Sequence, residues 1–342
     1  MAAGGPTATP QVDFKEGLAR WSQPILDAVL PVVPRPANPE DGSLEAMAWY
    51  QLETGGKRLR PLIAVLATEA LGGDPEAALS AAAGVELLHN ATLVHDDFQD
   101  GDIMRRGRPT VWKKHGWEQS INAGDGLYFM GLSLLARSPI PGDRLGLLMG
   151  RVAERMTQVV RGQVDEFRLK ARERPTEAEY LEVIRGKTAG LFSLPLEAAC
   201  LIAPNVSQEE RDAIARAGEV LGLLFQIQDD LLDLVGEKGR ERVGTDIAEG
   251  KPSLPVVRAM NGSDHKAAAR VQALLRLPRT DTEDTHIAEA IALLESTGAL
   301  ASSFDTVRTL AAEVRATGGR LGGLLDELVT VVLAPIAHRL TP

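Results

Sequence analysis

Apolar residues recur every three or four positions along most of the chain, the spacing that gives a helix one buried face. No stretch alternates apolar and polar residues for long enough to predict a strand. The pattern predicts helices over residues 12–29, 43–52, 61–72, 75–95, 122–136, 143–170, 177–187, 191–202 and 207–235, then further amphipathic helices of which the last covers about 321–339. The predicted fold class is therefore all-α.

The linkers between these segments are short, so we expect one all-helical domain over residues 11–342. Residues 1–10 are small residues and prolines without periodicity, which predicts a disordered N-terminal tail. We find neither a signal-peptide pattern nor an uninterrupted apolar run long enough to span a bilayer. A cytoplasmic protein without integral membrane contact is expected.

Composition narrows the range of partners. Aromatic residues make up only 4% of the chain, which favours helices over strand-rich domains. The 37 basic and 47 acidic residues give a net charge of −10, which argues against nucleic acid or an anionic membrane surface as the main partner. Cys200 is the only cysteine, so an internal disulfide and a cysteine metal cluster are both excluded.

Two acidic motifs lie within apolar helical sequence. Asp96 and Asp100 of the first motif are four residues apart, so they share one face of a helix, and the same holds for Asp229 and Asp233 of the second. Like charges at this spacing cost an isolated helix roughly 0.2–0.5 kcal/mol. A Mg²⁺ site completed by substrate phosphates gives these carboxylates a partner. A solvated acidic helix face is the alternative, which two motifs that are both followed by basic residues disfavour.

Basic residues lie close to both motifs. Residues 55–61 read GGKRLRP, in which three cations precede a proline suited to the first turn of a helix. Helix N-termini and fixed cations both favour phosphate, although a basic loop at a helix start is the alternative. Arg105 and Arg106 follow the first motif and Lys251 follows the second, which predicts either a diphosphate site or a neutralising surface network.

The motifs GGKRLRP, HDDFQD followed by RRG, NAGD, the pair Lys187-Thr188, FQIQDDLLD and GTDIAEGK occur in this order. Together they resemble the trans-isoprenyl diphosphate synthases of the polyprenyl synthetase family, over nearly all of residues 55–251. The resemblance implies an isoprenoid synthase-type bundle of antiparallel helices around a deep central cavity, usually in a homodimer. It also implies condensation of isopentenyl diphosphate with an allylic diphosphate (dimethylallyl, geranyl or farnesyl), with release of pyrophosphate.

The same resemblance implies a role for each group of residues. About three Mg²⁺ ions would be held on the allylic diphosphate by Asp96, Asp97, Asp100, Asp229, Asp230 and Asp233. That diphosphate would also be bound by Arg105, Lys187, Lys251, Thr188 and Gln226. The catalytic set would be Asp96, Asp97, Asp100, Lys187, Asp229, Asp230 and Lys251. Isopentenyl diphosphate would be bound without metal by Lys57, Arg60, His89 and Arg106, and the released pyrophosphate would accept the proton.

Two positions depart from the family pattern. Arg242 stands where the family commonly has a lysine; it keeps the charge, changes the reach and is expected to bind substrate. Glu166 stands three residues after Gln163, where an aspartate is common. Residues 236–250 are rich in glycine and charge, which predicts a mobile loop, and the resemblance implies that this loop closes over the site and excludes water.

The growing chain is expected to run from the first motif toward the N-terminus of its helix. Thr92 and Ala91 lie four and five residues before Asp96, about 6–7.5 Å along the axis. Both are small, whereas farnesyl enzymes of one type have an aromatic residue there, so the pocket is expected to end deeper, at Leu88, Tyr128 or Phe129. The expected product is geranylgeranyl diphosphate, with farnesyl or a longer polyprenyl diphosphate as the alternatives.

Three other readings compete with a synthase. A class I terpene cyclase shares one aspartate motif but does not need the basic segment at Lys57 and Arg60. A non-catalytic subunit of a heteromeric synthase typically lacks one of the two motifs, and both are present here. A structural helical bundle with acidic faces explains neither the spacing of the acids nor the paired basic clusters.

Overall fold

The computed structural model describes residues 13–236 and 243–340. The tail predicted over residues 1–10 and the predicted substrate ligand Arg242 lie outside the described residues. The α-helices, numbered in chain order, are α1 Phe14–Asp27, α2 Leu44–Leu52, α3 Leu59–Ala70, α4 Leu79–Gln99, α5 Val111–His115, α6 Trp117–Leu135, α7 Gly142–Ala171, α8 Glu177–Ile184, α9 Gly190–Ile202, α10 Gln208–Val235, α11 Thr245–Ala248, α12 Leu254–Met260, α13 His265–Leu275, α14 Asp284–Ser296, α15 Ala299–Ala316, α16 Gly322–Leu333 and α17 Ala337–Leu340.

Shorter elements connect some of these helices. Single 3₁₀ turns cover Glu76–Ala78, Arg279–Asp281, Gly319–Leu321 and Ala334–Ile336, and a π-helical turn covers Arg185–Ala189 between α8 and α9. Strands β1 Met104–Arg105 and β2 Arg108–Pro109 form a two-stranded antiparallel sheet, in which Arg105 pairs with Arg108. The described chain is thus mostly helical, with one short hairpin, as the hydrophobic pattern predicts.

Polar residues begin several helices where the sequence pattern places their starts. The Asp13 carboxylate accepts hydrogen bonds from the N–H groups of Lys15 and Glu16, which satisfies two of the free donors at the start of α1. Thr176 and Glu179 form a reciprocal capping box at the start of α8. The predicted helix start at Asn122 is wrong: α6 begins at Trp117, so residues 122–125 lie inside that helix.

The chain divides into two compact units by its contacts. The first comprises the chain up to Glu154, Leu194–Ala215 and Gly318–Leu324; the second comprises Arg155–Ser193, Arg216–Thr317 and the chain from Leu325. In the first unit α4 packs along α6 and α3, and in the second α12 contacts α8, α13, α14 and α15. The first acidic motif belongs to the first unit and the second motif to the second. A single domain over residues 11–342 stays a prediction.

Within the described residues, two helical stretches are long and apolar enough to cross a membrane by length and composition, and charged residues interrupt both of them. They are Glu76–Gln99 and Gly319–Leu340, with mean hydropathies of 1.2 and 1.5. The consecutive helices Asp284–Ser296 and Ala299–Ala316 also reach this length and hydropathy when they are taken as one segment, with a bend of 67° between them. In the first stretch 72% of the apolar window is buried within the protein, and in the second 44%. Alanine- and leucine-rich helices that pack in a helical core reach the same hydropathy as a spanning helix.

Candidate active site

The first acidic motif lies at the C-terminal end of α4. Asp96 and Asp97 are in its last turn, and Asp100 is the capping residue, whose N–H donates to the Asp96 carbonyl at 2.8 Å. The carbonyl end of a helix carries partial negative charge, so carboxylates there are destabilising unless a cation lies nearby. Asp96 and Asp100 are partly exposed, whereas the Asp97 side chain is 1% exposed.

Asp97 turns into the protein and pairs with Arg105 on β1. The Arg105 Nε donates to Asp97 Oδ1 at 2.6 Å, and its Nη2 lies 2.5 Å from the same oxygen. Within the described part of the chain, the buried Asp97 Oδ2 has no hydrogen-bond partner. Burial raises the pKa of Asp97 to about 6, against the opposing effect of the Arg105 guanidinium. The structure therefore separates Asp97 from the exposed pair that the sequence grouped with it.

The second acidic motif divides in a similar way. Asp229 on α10 is partly exposed, whereas Asp230 and Asp233 are buried. Asp233 Oδ1 accepts from the Thr245 hydroxyl at 2.6 Å, and its Oδ2 accepts from the Asp246 N–H at 3.0 Å. The spacing predicted that Asp229 and Asp233 share one face of α10. Both Asp233 oxygens accept hydrogen bonds from the segment that begins α11.

The two oxygens of Asp230 also have protein donors. The Tyr180 hydroxyl donates to Oδ2 at 2.6 Å, and the Gln226 Nε2 donates to Oδ1 at 2.9 Å. Burial and the adjacent Asp230 raise the pKa of Tyr180 well above its usual value, so its hydroxyl remains a donor. The sequence analysis missed Tyr180. The only indication in the sequence was the polar hydroxyl of Tyr180 on the otherwise apolar buried face of α8.

Lys187 and Thr188 lie in the π-helical turn between α8 and α9. The Lys187 Nζ lies 2.6 Å from Glu166 Oε2 on α7, and the Thr188 hydroxyl donates to Gln226 Oε1 at 2.8 Å. The predicted site residues Lys187, Thr188, Gln226 and Asp230 are thus brought together in the second unit. Glu166, noted as a departure from the family pattern, is the ion-pair partner of Lys187.

Two glycines allow neighbouring helices to reach this turn. A Cβ atom at Gly162 of α7 would lie 2.2 Å from the Lys187 backbone nitrogen. A Cβ atom at Gly222 of α10 would lie 2.4 Å from the Ala189 Cα. Backbone atoms cannot move aside as a flexible side chain can, so any other residue at either position would displace the turn.

Lys251 is bound by acidic residues of its own segment. Its Nζ lies 3.0 Å from Glu249 Oε2 and 3.6 Å from Asp246 Oδ1, and its N–H donates to the Asp246 carbonyl at 2.8 Å. Because Asp246 also donates its N–H to Asp233, Lys251 is connected to the second acidic motif through two consecutive contacts. The described part of the predicted loop 236–250 therefore includes a short helix, α11, held against α10.

The basic segment before α3 lies beside the turn that joins β1 to β2. Arg58, which precedes α3, has a left-handed backbone with φ of 45°. Arg106 and Gly107 at the hairpin turn also have positive φ, as a two-residue turn of type I′ requires. An Arg106 Nη1–H donates to the Gly55 carbonyl, so the hairpin holds the GGKRLRP segment in place. Lys57 is exposed.

His89 and Arg60 form a partly buried pair in the first unit. The Arg60 Nη1 lies 3.2 Å from His89 Nε2. An arginine can only donate, so Nε2 is the acceptor and Nδ1 carries the proton. Burial and the Arg60 charge lower the pKa of His89 well below its usual value, and burial lowers the pKa of Arg60 to about 10. Among the described residues, His89 Nδ1 has no hydrogen-bond partner, which leaves a buried donor for a ligand.

Glu86, three residues before His89, was not identified from the sequence. Its side chain is buried and accepts from the Asn90 Nδ2 at 3.1 Å. Burial raises the pKa of Glu86, while Asn90 and the charges of Arg58, Arg60 and Arg106 oppose that shift. A carboxylate thus lies close to the predicted isopentenyl diphosphate residues and offsets part of their positive charge. A single acid in an apolar run gave no pattern from which to predict this.

The acidic motifs supply carboxylate oxygens, the type of ligand that Mg²⁺ prefers. Over residues 13–236 and 243–340, no group of three or more His, Cys, Asp or Glu side chains could hold an ion by itself. Mg²⁺ characteristically uses one or two carboxylates and completes its octahedral shell with waters and substrate phosphates. The partly exposed pair Asp96 and Asp100, at the negative end of α4, is a donor set of this kind.

A cavity of about 310 Å³ in the second unit lies outside the predicted site. Its lining residues are Arg258, Gly262, Ser263, Asp264, Thr297, Gly298, Ala299 and Ser302. None of the predicted metal or substrate ligands is among them.

Comparison with known proteins agrees with the motifs. The polyprenyl synthetase family model matches residues 41–294. The geranylgeranyl diphosphate synthase of Methanosarcina mazei is 36% identical over 237 residues, which cover 68% of this chain and 71% of that protein. The octaprenyl diphosphate synthase of Haemophilus influenzae is also 36% identical, over 66% of this chain and 68% of its own length.

A solved structure extends the similarity to nearly the whole chain. The geranylgeranyl pyrophosphate synthetase of Pyrococcus horikoshii superposes with a TM-score of 0.85 at 29% identity, over 94% of this chain and 98% of that one. The predicted all-α fold class and the predicted enzyme class are both confirmed. The chain belongs to the polyprenyl synthetase family and is a prenyl diphosphate synthase, a transferase of prenyl groups.

Proposed function

We propose that this enzyme condenses isopentenyl diphosphate with an allylic diphosphate to give a longer all-trans prenyl diphosphate and pyrophosphate. The observation that carries the proposal is the partly exposed pair Asp96 and Asp100 at the end of α4, next to Arg105, which the buried Asp97 holds in place. A carboxylate pair at the negative end of a helix favours binding of a cation, and the Arg105 guanidinium, which already pairs with Asp97, adds positive charge that favours binding of an anion. Mg²⁺ and a diphosphate together provide both.

The different burial of the six aspartates supports two different roles, metal binding for three of them and positioning of neighbouring groups for the other three. Asp96, Asp100 and Asp229 are partly exposed and are the proposed Mg²⁺ ligands. Asp97, Asp230 and Asp233 are buried against protein donors and are proposed to position Arg105, Gln226 and the α11 segment. About three Mg²⁺ ions, as the family resemblance implies, would supply electrostatic stabilisation of the departing pyrophosphate.

The allylic diphosphate is proposed to bind Arg105, Lys187 and Lys251, with Gln226 and Thr188 beside them and Arg242 as a further cation. Each of the three cations within the described residues has a carboxylate close by, namely Asp97, Glu166 and Glu249. These partners fix the orientation of the cations before substrate binds, so little reorganisation is needed when charge develops on the leaving group.

Isopentenyl diphosphate is proposed to bind Lys57, Arg60, His89 and Arg106 without metal. The unsatisfied Nδ1–H of His89, in the described part of the chain, is a ready donor to a phosphate oxygen. The allylic C–O bond breaks, the isopentenyl double bond attacks the allylic carbon, and a proton then leaves for the released pyrophosphate. The protein contributes mainly by holding the two reacting carbons close together and by excluding water.

The proposed product is geranylgeranyl diphosphate, with farnesyl or a longer polyprenyl diphosphate as the alternatives. Relatives of equal identity carry names with different chain lengths, so the proposal depends on the small side chains of Ala91 and Thr92. Ala91 is fully buried and belongs to the apolar core of the first unit, whereas Thr92 is 8% exposed.

We also propose a cytoplasmic homodimer. Trp117, Ile121 and Phe129 are exposed and spaced by four and eight residues, so they form a stripe on α6 that is apolar except for the exposed Asp125 between Ile121 and Phe129. A second copy of the chain is the proposed partner of this stripe. Sedimentation of the purified enzyme tests the assembly, because Phe129→Glu is expected to give monomers where the wild-type chain gives dimers.

Purified enzyme incubated with labelled isopentenyl diphosphate tests the reaction. Pyrophosphate release is expected to require Mg²⁺, isopentenyl diphosphate and an allylic diphosphate together. Release from the allylic substrate alone would support a terpene cyclase instead. No release under any of these conditions would favour a non-catalytic subunit or a structural bundle.

A further inference from the structure

Three successive contacts align the segment 180–189 with α10. Tyr180 bonds to Asp230, Thr188 bonds to Gln226, and Ala189 meets Gly222. As the residue numbers rise along the first segment (180, 188, 189), those of their partners on α10 fall (230, 226, 222), so the two segments run antiparallel. The π-helical turn Arg185–Ala189, which includes Lys187, contains the second and third of these contacts.

The direction of each hydrogen bond follows from the chemistry of the groups. The Asp230 carboxylate can only accept, so the Gln226 nitrogen must face it and the Gln226 oxygen must face Thr188. The Thr188 hydroxyl hydrogen is therefore donated to Gln226, not outward. The Gln226 amide keeps a second N–H hydrogen, for which the allylic diphosphate is the proposed acceptor.

This arrangement depends on Asp230 staying in one orientation. Gln226 and Asp230 are four residues apart on the same helix, so a single rotation of the Asp230 side chain would break their contact. Tyr180 comes from a different helix, is 3% exposed, and donates at 2.6 Å to the oxygen that Gln226 does not use. The hydroxyl of Tyr180 thus restricts rotation of the Asp230 side chain.

We propose that Tyr180 is a positioning residue of the allylic diphosphate site: it fixes Asp230, which orients the Gln226 amide, so that Gln226 donates to the substrate and the Lys187 turn keeps its place. The proposal rests on the proposed prenyl transfer and deepens it. It assigns Asp230 to hydrogen bonding within the protein, with Asp229 as the metal ligand of the second motif.

The test uses Tyr180→Phe, which removes one oxygen and keeps the ring. Binding of a non-ionising thio analogue of farnesyl diphosphate to the Mg²⁺-loaded enzyme is measured by calorimetry without isopentenyl diphosphate. Binding is expected to weaken about tenfold or more, as loss of a hydrogen bond to a charged group gives. The KM for isopentenyl diphosphate and the half-saturating Mg²⁺ concentration are expected to stay unchanged. Ser303→Ala, which removes another buried hydroxyl in the second unit, is the matched control.

A double-mutant cycle separates positioning from general destabilisation. Asp230→Asn is expected to weaken analogue binding, and Tyr180→Phe in that background is expected to add little, because the Tyr180 hydroxyl acts through Asp230. Additive losses, or analogue binding unchanged by Tyr180→Phe, would overturn the inference. The inference would also be overturned if Asp230→Asn raised the half-saturating Mg²⁺ concentration as much as Asp229→Asn does. A wild-type enzyme that binds the analogue but does not condense the two substrates would refute the proposed function instead.

Discussion

The ammonium group of Lys187 lies 2.6 Å from the Glu166 carboxylate, and both side chains are mostly buried. Lys187 is therefore held by α7 before any diphosphate arrives. We expect Glu166→Ala to lower kcat/KM for the allylic diphosphate about tenfold, since the lysine loses an ion pair worth roughly 1.5–3 kcal/mol when charged and hydrogen-bonded. Steady-state kinetics with each substrate varied in turn would measure this. Glu154→Ala, which breaks an exposed ion pair on the same helix, is the control and should leave kcat/KM unchanged.

Asp100→Asn is expected to stabilise the metal-free protein while it impairs catalysis. Removing a carboxylate from the negative end of α4 should add about 0.3–1 kcal/mol to the free energy of unfolding. Loss of one proposed Mg²⁺ ligand should lower kcat about 10²–10³-fold. Chemical denaturation with a chelator present and product assays would give the two values.

Asp27→Asn, at the C-terminal end of α1, is the control for Asp100→Asn. It should change stability in the same direction without a change in kcat. A lower stability of metal-free Asp100→Asn would count against the electrostatic account of the motif.

The Asp97 carboxyl should make stability depend on pH in a defined window. Its folded pKa is raised from 3.8 to about 6 by burial, so the folded state binds more protons than the unfolded state between these values. The contribution of Asp97 to the free energy of unfolding is up to roughly 3 kcal/mol. It is present in full below about pH 4 and is lost as the pH rises through about 6. The melting temperature of wild type minus that of Asp97→Asn should therefore fall between pH 4 and pH 7. A difference that stays constant or rises would show that Arg105 dominates.

Gly162→Ala should damage the site more than the fold. The added Cβ would lie 2.2 Å from the Lys187 nitrogen, so the π-helical turn must shift, at a typical cost of 1–3 kcal/mol for overpacking. We expect a higher KM for the allylic diphosphate together with a lower melting temperature. At Gly146 of the same helix, an added Cβ meets nothing within 4 Å in the described structure. Gly146→Ala should thus be neutral or slightly stabilising, since alanine favours helices by about 1 kcal/mol.

Ala91→Phe should shorten the product, because a ring at this position would intrude on the path proposed for the growing chain. Ala91 is fully buried, so the melting temperature must be measured alongside product length. Leu88→Ala, three residues deeper, should lengthen the product if Leu88 forms the floor. Chromatography of dephosphorylated products would resolve both effects. An unchanged product distribution in a stably folded Ala91→Phe enzyme would place the floor elsewhere.

The pattern of apolar residues predicted the helices well, because burial of one face is a property of the sequence itself. It could not reveal the π-helical turn at Arg185–Ala189, since one extra residue per turn leaves no periodic trace over five positions. The start of α6 was predicted at Asn122 instead of Trp117 because Trp117 and Ile121 are exposed, which blurs the pattern.

The acidic motifs were identified from the sequence, but their internal division was not. Successive helical residues differ by about 100° around the axis, so Asp96 and Asp97 could have been assigned to different faces. Which face is buried depends on partners far along the chain, such as Tyr180 for Asp230 and Thr245 for Asp233. Partners at such separations leave no signal in a single sequence.

The hairpin at residues 104–109 joins the two proposed substrate sites. Arg105 and Arg106 are consecutive, so their Cα atoms are about 3.8 Å apart, yet Arg105 contacts the acidic motif and Arg106 contacts Gly55. A movement of this turn would therefore shift Arg105 and Arg106 together. The allylic diphosphate and the isopentenyl diphosphate that they are proposed to bind would keep their separation. A change in the proposed floor of the pocket, such as Leu88→Ala, can then alter how many units are added while the geometry of each addition stays the same.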